Sequence, residues 1–518
     1  MDEGYVLSID CGTQSIRALI FDKEGNLIGK EKEEFEPYFS TSPGWAEQDP
    51  EIWWNGLCKV CKTLKSRNLD NWEKIKGVTV TTQRDTGINI DKNGKVLRPA
   101  IIWLDQRMAK CEKLISKKYR LMFTAVGMNK AIEISRRKVK SNWIKENEPD
   151  IWENTYKYLL LSGFLNYRLT GKLVDSIASQ IAHIPFDYKN KCWPKNNNDY
   201  RWEVFGVERE KLPELIEPGK IIGGVTKSAS EYTGIMEDLP VIASGSDKGC
   251  ETIGTGCINL ESANLSFGTT ATVQTTSNFY FEPIKFMPAY PACIEGCYNP
   301  ELEIFRGYWM ISWFKREFGM RESIKAEEMG VSPEVLLNEI LDEVPPGSQG
   351  LMLQPYWGPG LKMPKAKGAI IGFGDVHTRA HIYRAIIEGI NYALIDGVKK
   401  IEKCSKVKVK KIMVSGGGSQ SDVICQITSD MFNRPVYKSI TYETSGLGAA
   451  IIGFIGLGVY KTYEEAIEKM VHYSQVFYPR KDNAKIYDDL FNKVYKKIYS
   501  RLGRLYSQIQ GITNYPDI

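Results

Sequence analysis

The 518-residue chain is poor in histidine, and its cysteines are scattered rather than grouped. It contains four histidines, none at zinc-ligand spacing, and its eleven cysteines include two close pairs, Cys58/Cys61 and Cys293/Cys297. A structural zinc site needs four such ligands at set spacings. We therefore expect reduced thiols rather than a zinc site, and the sequence assigns no role to either pair.

Long hydrophobic runs and a strong excess of one charge are also absent. The longest apolar stretches, such as "GLGAAIIGFIGLG", are rich in glycine and too short to span a bilayer. The formal net charge is only +5 and the lysines are dispersed, which disfavours nucleic acid or a membrane as the main partner. The acidic start "MDEGYVLSID" has no signal-peptide pattern, so we expect a cytoplasmic location.

Length and hydrophobic patterning predict an α/β protein of at least two domains. Apolar runs predict strands at 5–10, at 16–21 and in "IKGVTVTTQ", and Asp49 can cap a helix that begins at Pro50. A single helix is predicted over "PDIWENTYKYLLLSGFLNYRLTG", ending at Gly171. The small residues of "SGLGAAIIGFIGLG" predict a helix that can pack closely against a neighbour.

A weak internal duplication is visible. The stretches "SIDCGTQSIRALI" and "NLSFGTTATVQTT" share one plan, an apolar strand, a Gly-Thr turn and a second strand, and lie about half a chain apart. This predicts two related α/β domains, each presenting its Gly-Thr hairpin to a common cleft. We place the boundary between residues 244 and 245.

The two hairpins have the chemistry of a phosphate site. Glycine allows close approach of a ligand to the backbone, and exposed N–H groups with threonine hydroxyls can hold phosphate oxygens. Asp10 precedes the first turn, where a carboxylate would repel bare phosphate. A Mg²⁺ ion between the two would explain the pairing, because magnesium is usually held by one or two carboxylates, phosphate oxygens and water. The alternative is a tight hairpin in which Asp10 caps a backbone group.

Two further segments fit a nucleotide-dependent reaction. In "VSGGGSQSDVICQITSDMF", Gly416–Gly418 lie between a strand and a helix and can seat an adenine or ribose against bare backbone, although such glycines often serve packing alone. In "ASGSDKGCETIGTG", Asp247 lies in a loop that opens a helix. It is either the helix N-cap or a general base for a hydroxyl that attacks a γ-phosphate.

Taken together, these motifs resemble the FGGY carbohydrate kinases of the actin-like ATPase superfamily. The matching segments are "IDCGTQSIRALIFD", "QDPEIWW", "GKVLRPAIIWLDQR", "SGSDKGCETIGTG", "LSFGTT", "VSGGGSQS" and "GAIIGFGDVHTRAHIYRAIIEG". They occur in family order over nearly the whole chain. Phe373, in the last segment, stands where a smaller aliphatic residue is more usual.

The resemblance implies two actin-like (ribonuclease H-like) domains around a central catalytic cleft. Residues 1–244 would bind mainly the sugar and carry the first phosphate hairpin, and residues 245–518 would bind mainly ATP. By carry-over, Asp247 is the general base, and Asp10 holds Mg²⁺ through water. The residues implied to face ATP or its phosphates are Gly12, Thr13, Gln14, Gly268, Thr269, Gly307, Gly416, Gly417, Gly418 and Ser419. We also expect a homodimer.

The segment "VTTQRDTGINID" lies where the family reads its substrate. Arg84 can donate and Asp85 can accept hydrogen bonds to sugar hydroxyls, and the alternative is an exposed ion pair between the two at a strand end. Trp103 is predicted either to cover sugar C–H groups or to pack in the core. The chain lacks the Gln-Met-His pattern of xylulokinases, comes close to the Gln-Arg-Glu of glycerol kinases, and shares an Arg-acid pair with autoinducer-2 kinases.

The predicted substrate is therefore a small sugar or polyol, either a ketopentose such as xylulose or a polyol similar to glycerol or erythritol. The alternatives are an autoinducer-2-type kinase of the same family and an actin-like ATPase that is not a kinase.

Overall fold

A computed structural model describes residues 4–357 and 366–514 and contains two six-stranded sheets, whose strands are numbered here in chain order. The first sheet comprises β1 (Tyr5–Cys11), β2 (Ser15–Phe21), β3 (Leu27–Glu34), β4 (Ile75–Thr82), β5 (Ile221–Gly224) and β6 (Pro240–Ile242). The second comprises β7 (Ser262–Phe267), β8 (Ala271–Gln274), β9 (Glu301–Ile304), β10 (Lys411–Ser415), β11 (Val436–Ser439) and β12 (Tyr473–Phe477).

The two sheets have the same topology. The first runs β3-β2-β1-β4-β6-β5 and the second β9-β8-β7-β10-β11-β12. In both, the first three strands are antiparallel, the next two add in parallel, and the last is antiparallel. The prediction of two related α/β domains is confirmed, and each Gly-Thr turn joins the same pair of strands in its own sheet.

The helices pack on the two sheets and on one another. They are α1 (Pro50–Arg67), α2 (Leu69–Trp72), α3 (Lys117–Ala125), α4 (Asn129–Lys138), α5 (Lys140–Asn147), α6 (Pro149–Asn154), α7 (Leu161–Thr170), α8 (Tyr200–Phe205), α9 (Lys227–Thr233), α10 (Asp247–Gly254), α11 (Trp309–Phe318), α12 (Met320–Met329), α13 (Pro333–Glu339), α14 (Arg379–Ser405), α15 (Asp422–Phe432), α16 (Thr444–Gly456), α17 (Tyr463–Met470), α18 (Lys481–Leu490) and α19 (Lys496–Thr513). None of the helices in the described residues combines the length and apolar character needed to cross a bilayer.

A smaller four-stranded sheet flanks the first domain and corrects one prediction. Its strands are Glu47–Gln48, Gly87–Ile90, Ala100–Ile101 and Lys157–Leu160. The single helix predicted up to Gly171 is wrong, because the strand Lys157–Leu160 interrupts it between α6 and α7. That strand pairs with Gly87–Ile90, so a distant partner overrides the local helical pattern. Gly171 does end α7, with φ of 69°.

Two helices, α10 and α16, each follow the fifth strand in one sheet order and contact the other sheet. Although α16 follows β11, a Cβ atom on its Gly446 would lie 2.2 Å from Leu19 of β2, and one on Gly453 would lie 2.8 Å from Val6 of β1. α10 follows β6 but bonds to the second sheet, where Lys248 Nζ donates to Ser266 Oγ at 2.6 Å. Each of these two helices thus contacts the sheet to which its preceding strand does not belong.

At the point where α10 and α16 cross, their backbones are in contact. A Cβ atom on Gly448 would lie 1.8 Å from the carbonyl oxygen of Cys250, and one on Gly254 would lie 1.9 Å from that of Thr444. No side chain fits in this space, which explains the small residues of α16. The crossing fixes the start of α10 relative to both sheets.

We propose that the domain boundary lies between residues 244 and 245, as the sequence predicts. Two observations support it: the last strand of the first sheet ends at Ile242, and α10 makes its side-chain hydrogen bonds with the second sheet. All eleven cysteines are free thiols, including Cys58 and Cys61 in α1.

The crossing predicts that Gly448→Ala lowers stability, because the added methyl group collides with backbone rather than with a movable side chain. We expect a loss of about 1–3 kcal/mol or more in the free energy of unfolding, measured by urea denaturation. The matched control is Gly503→Ala in α19, where no heavy atom lies within 4 Å of the added methyl group and a helical Gly→Ala change should stabilise by up to about 1 kcal/mol. Equal effects of the two changes would contradict the close crossing.

Candidate active site

The first hairpin turn lies at the tip of β1 and β2. Gly12 N donates to Ser15 O at 3.0 Å, which closes the turn over residues 12–14. The Thr13 hydroxyl donates to Gln83 Oε1 at 2.8 Å and accepts from Trp103 Nε1 at 3.0 Å. The turn is therefore braced from the side by polar side chains, while Gln14 at its tip is exposed.

Trp103 lies beside this turn rather than in the core. The residue is 36% exposed, and its indole N–H is bound to Thr13. The core-packing alternative is therefore wrong. A role in covering sugar C–H groups stays a prediction.

Asp10 lies one residue before the end of β1 and is held by a guanidinium group. It pairs in register with Arg17 of β2, whose Nη1 lies 3.0 Å from Asp10 Oδ2. Glu443, which precedes α16, lies 3.7 Å from Arg17 Nε and also pairs with Lys30. Burial raises the pKa of Asp10 from 3.8 to about 6, with Arg17 opposing the shift and the Asp247 and Glu443 carboxylates adding to it.

The second hairpin turn, Gly268–Thr269, lies at the equivalent place between β7 and β8. Tyr308 N donates to Gly268 O at 3.0 Å and Trp309 N to Thr269 O at 3.3 Å, so α11 begins on this turn. A Cβ atom on Gly307 would lie 2.3 Å from Ala271 N, which explains the glycine by close packing. A contact of Gly307 with ATP stays a prediction.

The glycine-rich turn follows β10 and precedes α15, as predicted. Gly416 has φ of 79°, and the Ser419 hydroxyl donates to its carbonyl oxygen at 2.7 Å. A Cβ atom on Gly418 would lie 2.2 Å from the Tyr308 ring, so packing requires that glycine. Gly417 has no heavy atom within 4 Å of such a position, and it leaves backbone open to a ligand.

Asp247 is the first residue of α10 but not its cap. Ser246 caps the helix by accepting from Gly249 N at 3.3 Å, so the N-cap alternative for Asp247 is wrong. Burial raises the pKa of Asp247, while the Arg84 and Lys248 cations partly oppose the shift. A carboxylate with a raised pKa is a stronger base.

Arg84 connects the two domains next to Asp247. Its Nη1 lies 3.0 and 2.9 Å from the two carboxylate oxygens of Glu301 on β9, and its Nε donates to Ser246 Oγ at 3.2 Å. The guanidinium carbon is 5.2 Å from the Tyr290 ring centroid. Arg84 Nη2 is buried and has no hydrogen-bond partner within the described residues.

Asp85 does not pair with Arg84, so the predicted alternative of an ion pair between them is wrong. Its Oδ2 lies 3.0 Å from Lys140 Nζ and 2.9 Å from His183 Nδ1, and its Oδ1 accepts from His183 N at 3.1 Å. Burial would raise the pKa of Asp85, but Lys140 and His183 outweigh it and hold the pKa well below its usual range. Neither partner was assigned a role from the sequence.

A polar face of the second sheet was also missed. Lys248 Nζ lies 3.0 Å from Glu251 Oε2 and donates to Ser266, and Thr252 in the same helix bonds to Gln274. On β9, desolvation by the surrounding protein and the neighbouring Glu301 carboxylate raise the pKa of Glu303 to about 7, although the residue is exposed to solvent. Alternating polar residues in "TATVQTT" and "ELEIF" were a usable signal for this face.

The donor set suits magnesium held together with a phosphate ligand. In residues 4–357 and 366–514 no group of three or more His, Cys, Asp or Glu side chains is placed to hold a metal ion by itself. Asp10 is a buried carboxylate beside an exposed turn that can bind phosphate. Mg²⁺ usually keeps several waters and takes one or two carboxylates with substrate phosphates, so Asp10 fits this role.

Two domains of one topology, each with a Gly-Thr turn between the equivalent pair of strands, have the actin-like fold. Two family models match the chain: "FGGY family of carbohydrate kinases, N-terminal domain" over residues 5–254 and the corresponding C-terminal domain over residues 263–457. The chain belongs to the FGGY family of carbohydrate kinases. It is an ATP-dependent phosphotransferase that acts on a hydroxyl of a sugar or polyol.

Similar proteins agree with this assignment. A xylulose kinase of Lactococcus lactis is 29% identical over 98% of this chain and 98% of its own length. A glycerol kinase of Thermococcus gammatolerans is 30% identical over 93% of this chain and 94% of its own. The crystal structure of a xylulose kinase from Rhodospirillum rubrum, 23% identical, superposes with a TM-score of 0.82 over 97% of this chain and all of that one.

The buried charge of Asp10 predicts that Asp10→Asn stabilises the protein at pH 8. There Asp10 is ionised both folded and unfolded, and a pKa of about 6 against 3.8 corresponds to a cost of about 3 kcal/mol in the folded state. Loss of the Arg17 pair reduces the gain, so we expect about 1–3 kcal/mol. The gain should shrink as the pH falls from 8 to 5, because folded Asp10 then becomes protonated.

Urea unfolding at both pH values measures this, with the exposed Asp70→Asn as control, for which we expect a change within about 0.5 kcal/mol. An Asp10→Asn protein that is less stable than wild type at pH 8 would show that the Arg17 pair outweighs the cost of burial.

Proposed function

We propose that Asp247 is the general base of the transfer and that the acceptor is a small sugar or polyol bound between Arg84 and Trp103. The position of Asp247 carries the proposal. It begins a helix capped by its neighbour, it lies within electrostatic reach of Arg84 and Asp10, and burial raises its pKa.

In this mechanism Asp247 takes the proton of the acceptor hydroxyl as its oxygen attacks the γ-phosphorus of ATP. The new O–P bond forms while the bond to the β-phosphate oxygen breaks, and ADP leaves. Because the protein takes little covalent part in such a transition state, most of the rate acceleration comes from orientation of the reactants and from electrostatic stabilisation. Thr13, Gln14 and the Gly268–Thr269 turn would hold phosphate oxygens through backbone N–H groups, and Gly416–Ser419 would hold the adenosine. Gly12 would keep the first turn closed through its bond to Ser15.

Asp10 would hold Mg²⁺ through water, and the ion would neutralise charge on the phosphates when ATP is bound. The Arg17 and Glu443 contacts keep the Asp10 side chain in place. Lys248 adds a positive charge beside the second turn, since its Nζ lies 4.0 Å from the position of a Cβ atom on Gly268.

Xylulose and glycerol are the leading acceptors, because relatives at 29% and 30% identity are named for them. The autoinducer-2-type alternative belongs to the same reaction class and differs only in the acceptor. A cytoplasmic location and a homodimer remain predictions.

Asp247→Asn is expected to lower kcat by about 10²–10⁴-fold, because the amide cannot take the proton. ATP binding, measured by calorimetry, should change little. The control is Asp482→Asn, an exposed aspartate in the first turn of α18, which should leave kcat unchanged. Retained sugar phosphorylation by Asp247→Asn would refute the assignment of the base.

The acceptor can be found by measuring ADP release with glycerol, erythritol, pentitols, ketopentoses, ketohexoses and autoinducer-2 precursors. We expect turnover with at least one of these compounds. If none supports turnover above the background hydrolysis of ATP, the proposed acceptor class is wrong.

A further inference from the structure

We propose that His183, rather than Asp85, contacts a hydroxyl of the acceptor, and that Asp85 is a positioning residue that orients the imidazole. The inference rests on the proposed function, since it concerns the acceptor pocket. Asp85, the acidic member of the Arg84-Asp85 pair, then acts on the sugar only through His183.

The Asp85 carboxylate has little capacity left to accept hydrogen bonds from a ligand. Its Oδ2 receives Lys140 and the His183 ring, and its Oδ1 receives the His183 backbone N–H. Its own N–H donates to Ile181 O at 3.1 Å, and its φ of 48° is unusual for a residue other than glycine. A residue whose carboxylate already accepts from Lys140 and His183, and whose backbone conformation is unusual, is suited to holding its neighbours in place.

His183 is the accessible member of this cluster. Its side chain is 41% exposed, against 21% for Asp85 and 7% for Lys140. The backbone beside it is fixed, because the Tyr188 hydroxyl donates to Ala182 O at 3.1 Å and accepts from Ala182 N at 3.3 Å. An exposed imidazole on a rigid segment differs from a mobile surface histidine.

The hydrogen-bonding roles of the two ring nitrogens follow from the Asp85 contact. Oδ2 of an ionised Asp85 can only accept, so the 2.9 Å contact requires that Nδ1 carries the hydrogen. In the neutral ring, Nε2 then has a free lone pair and accepts a hydrogen bond from a hydroxyl group. The carboxylate sets the tautomer and the ring orientation, as carboxylate partners do for other functional histidines.

A short series of contacts and chain neighbours connects His183 with Asp247. Asp85 follows Arg84, Arg84 bonds to Ser246, and Ser246 precedes Asp247. In this proposal, an acceptor with one hydroxyl at Asp247 presents a second hydroxyl to His183. The substrate class is a compound with at least two hydroxyl groups, of which one reacts and another is recognised by Nε2.

Two substitutions separate this role from simple support of Asp85. In His183→Asn the side-chain amide nitrogen takes the place of Nδ1, so the bond to Asp85 is kept and the group at Nε2 is lost. In His183→Gln the amide reaches the place of Nε2, while the Nδ1 bond is lost. If Nε2 binds the substrate, His183→Asn should raise the KM and the Kd for the sugar by about tenfold, and His183→Gln should stay closer to wild type.

Sugar binding is measured by calorimetry as well as by turnover, so the test does not depend on catalysis. The KM for ATP should stay unchanged in both variants. Deoxy analogues add a further check: with the analogue that lacks the recognised hydroxyl, wild type and His183→Asn should bind equally well. Thermal melting confirms that both variants are folded.

The reverse order, with His183→Gln impaired and His183→Asn like wild type, overturns the inference, and so do equal losses that no deoxy analogue removes. A wild-type protein that binds a sugar without phosphorylating it would instead refute the proposed function. The binding comparison of the two variants would still decide the role of His183.

Discussion

The arrangement of the cleft depends on one contact, the crossing of α10 and α16, where the backbones of the two helices touch. Gly254 and Gly448 bring the two helices so close that α10 can bond to the second sheet while α16 packs against the first. Asp247 begins one helix, and Glu443, which holds Arg17, immediately precedes the other. One steric condition thus places the candidate base and the side chain that supports Asp10 relative to each other.

The charged side chains of the cleft are paired with one another. Asp10 is paired with Arg17, Arg84 with Glu301, Asp85 with Lys140 and His183, and Lys248 with Glu251. Burial of the carboxylates raises the pKa of Asp10 and Asp247, which stores unfavourable free energy in the folded state. Such a cost is typical of sites arranged for a reaction rather than for stability.

The proposed acceptor pocket takes residues from both domains. Arg84 comes from the end of β4, whereas Glu301 and Tyr290, which hold it, come from the second half of the chain. Such a pocket would be complete only when the domains are together, which would favour transfer to a sugar over transfer to water.

The sequence by itself determined the reaction class, because its motifs are local: a Gly-Thr turn, a Ser-Asp helix start and a glycine-rich turn each carry their geometry within a few residues. It also determined the duplicated α/β plan, since strand patterns repeat along the chain. Prediction from the sequence failed where a strand pairs with a segment that is distant along the chain. The strand Lys157–Leu160 was predicted as helix, because only pairing with Gly87–Ile90 makes it a strand.

Only the tertiary structure decided which side chains can reach a substrate. Arg84 and Asp85 are adjacent in sequence, yet they bond to Glu301 in one direction and to Lys140 and His183 in another. Their partners lie between 55 and 217 positions away along the chain, and no local pattern encodes such separations. The physical reason is that charge pairing in a buried cleft depends on how separate elements pack, and that packing is fixed by the crossing of α10 and α16.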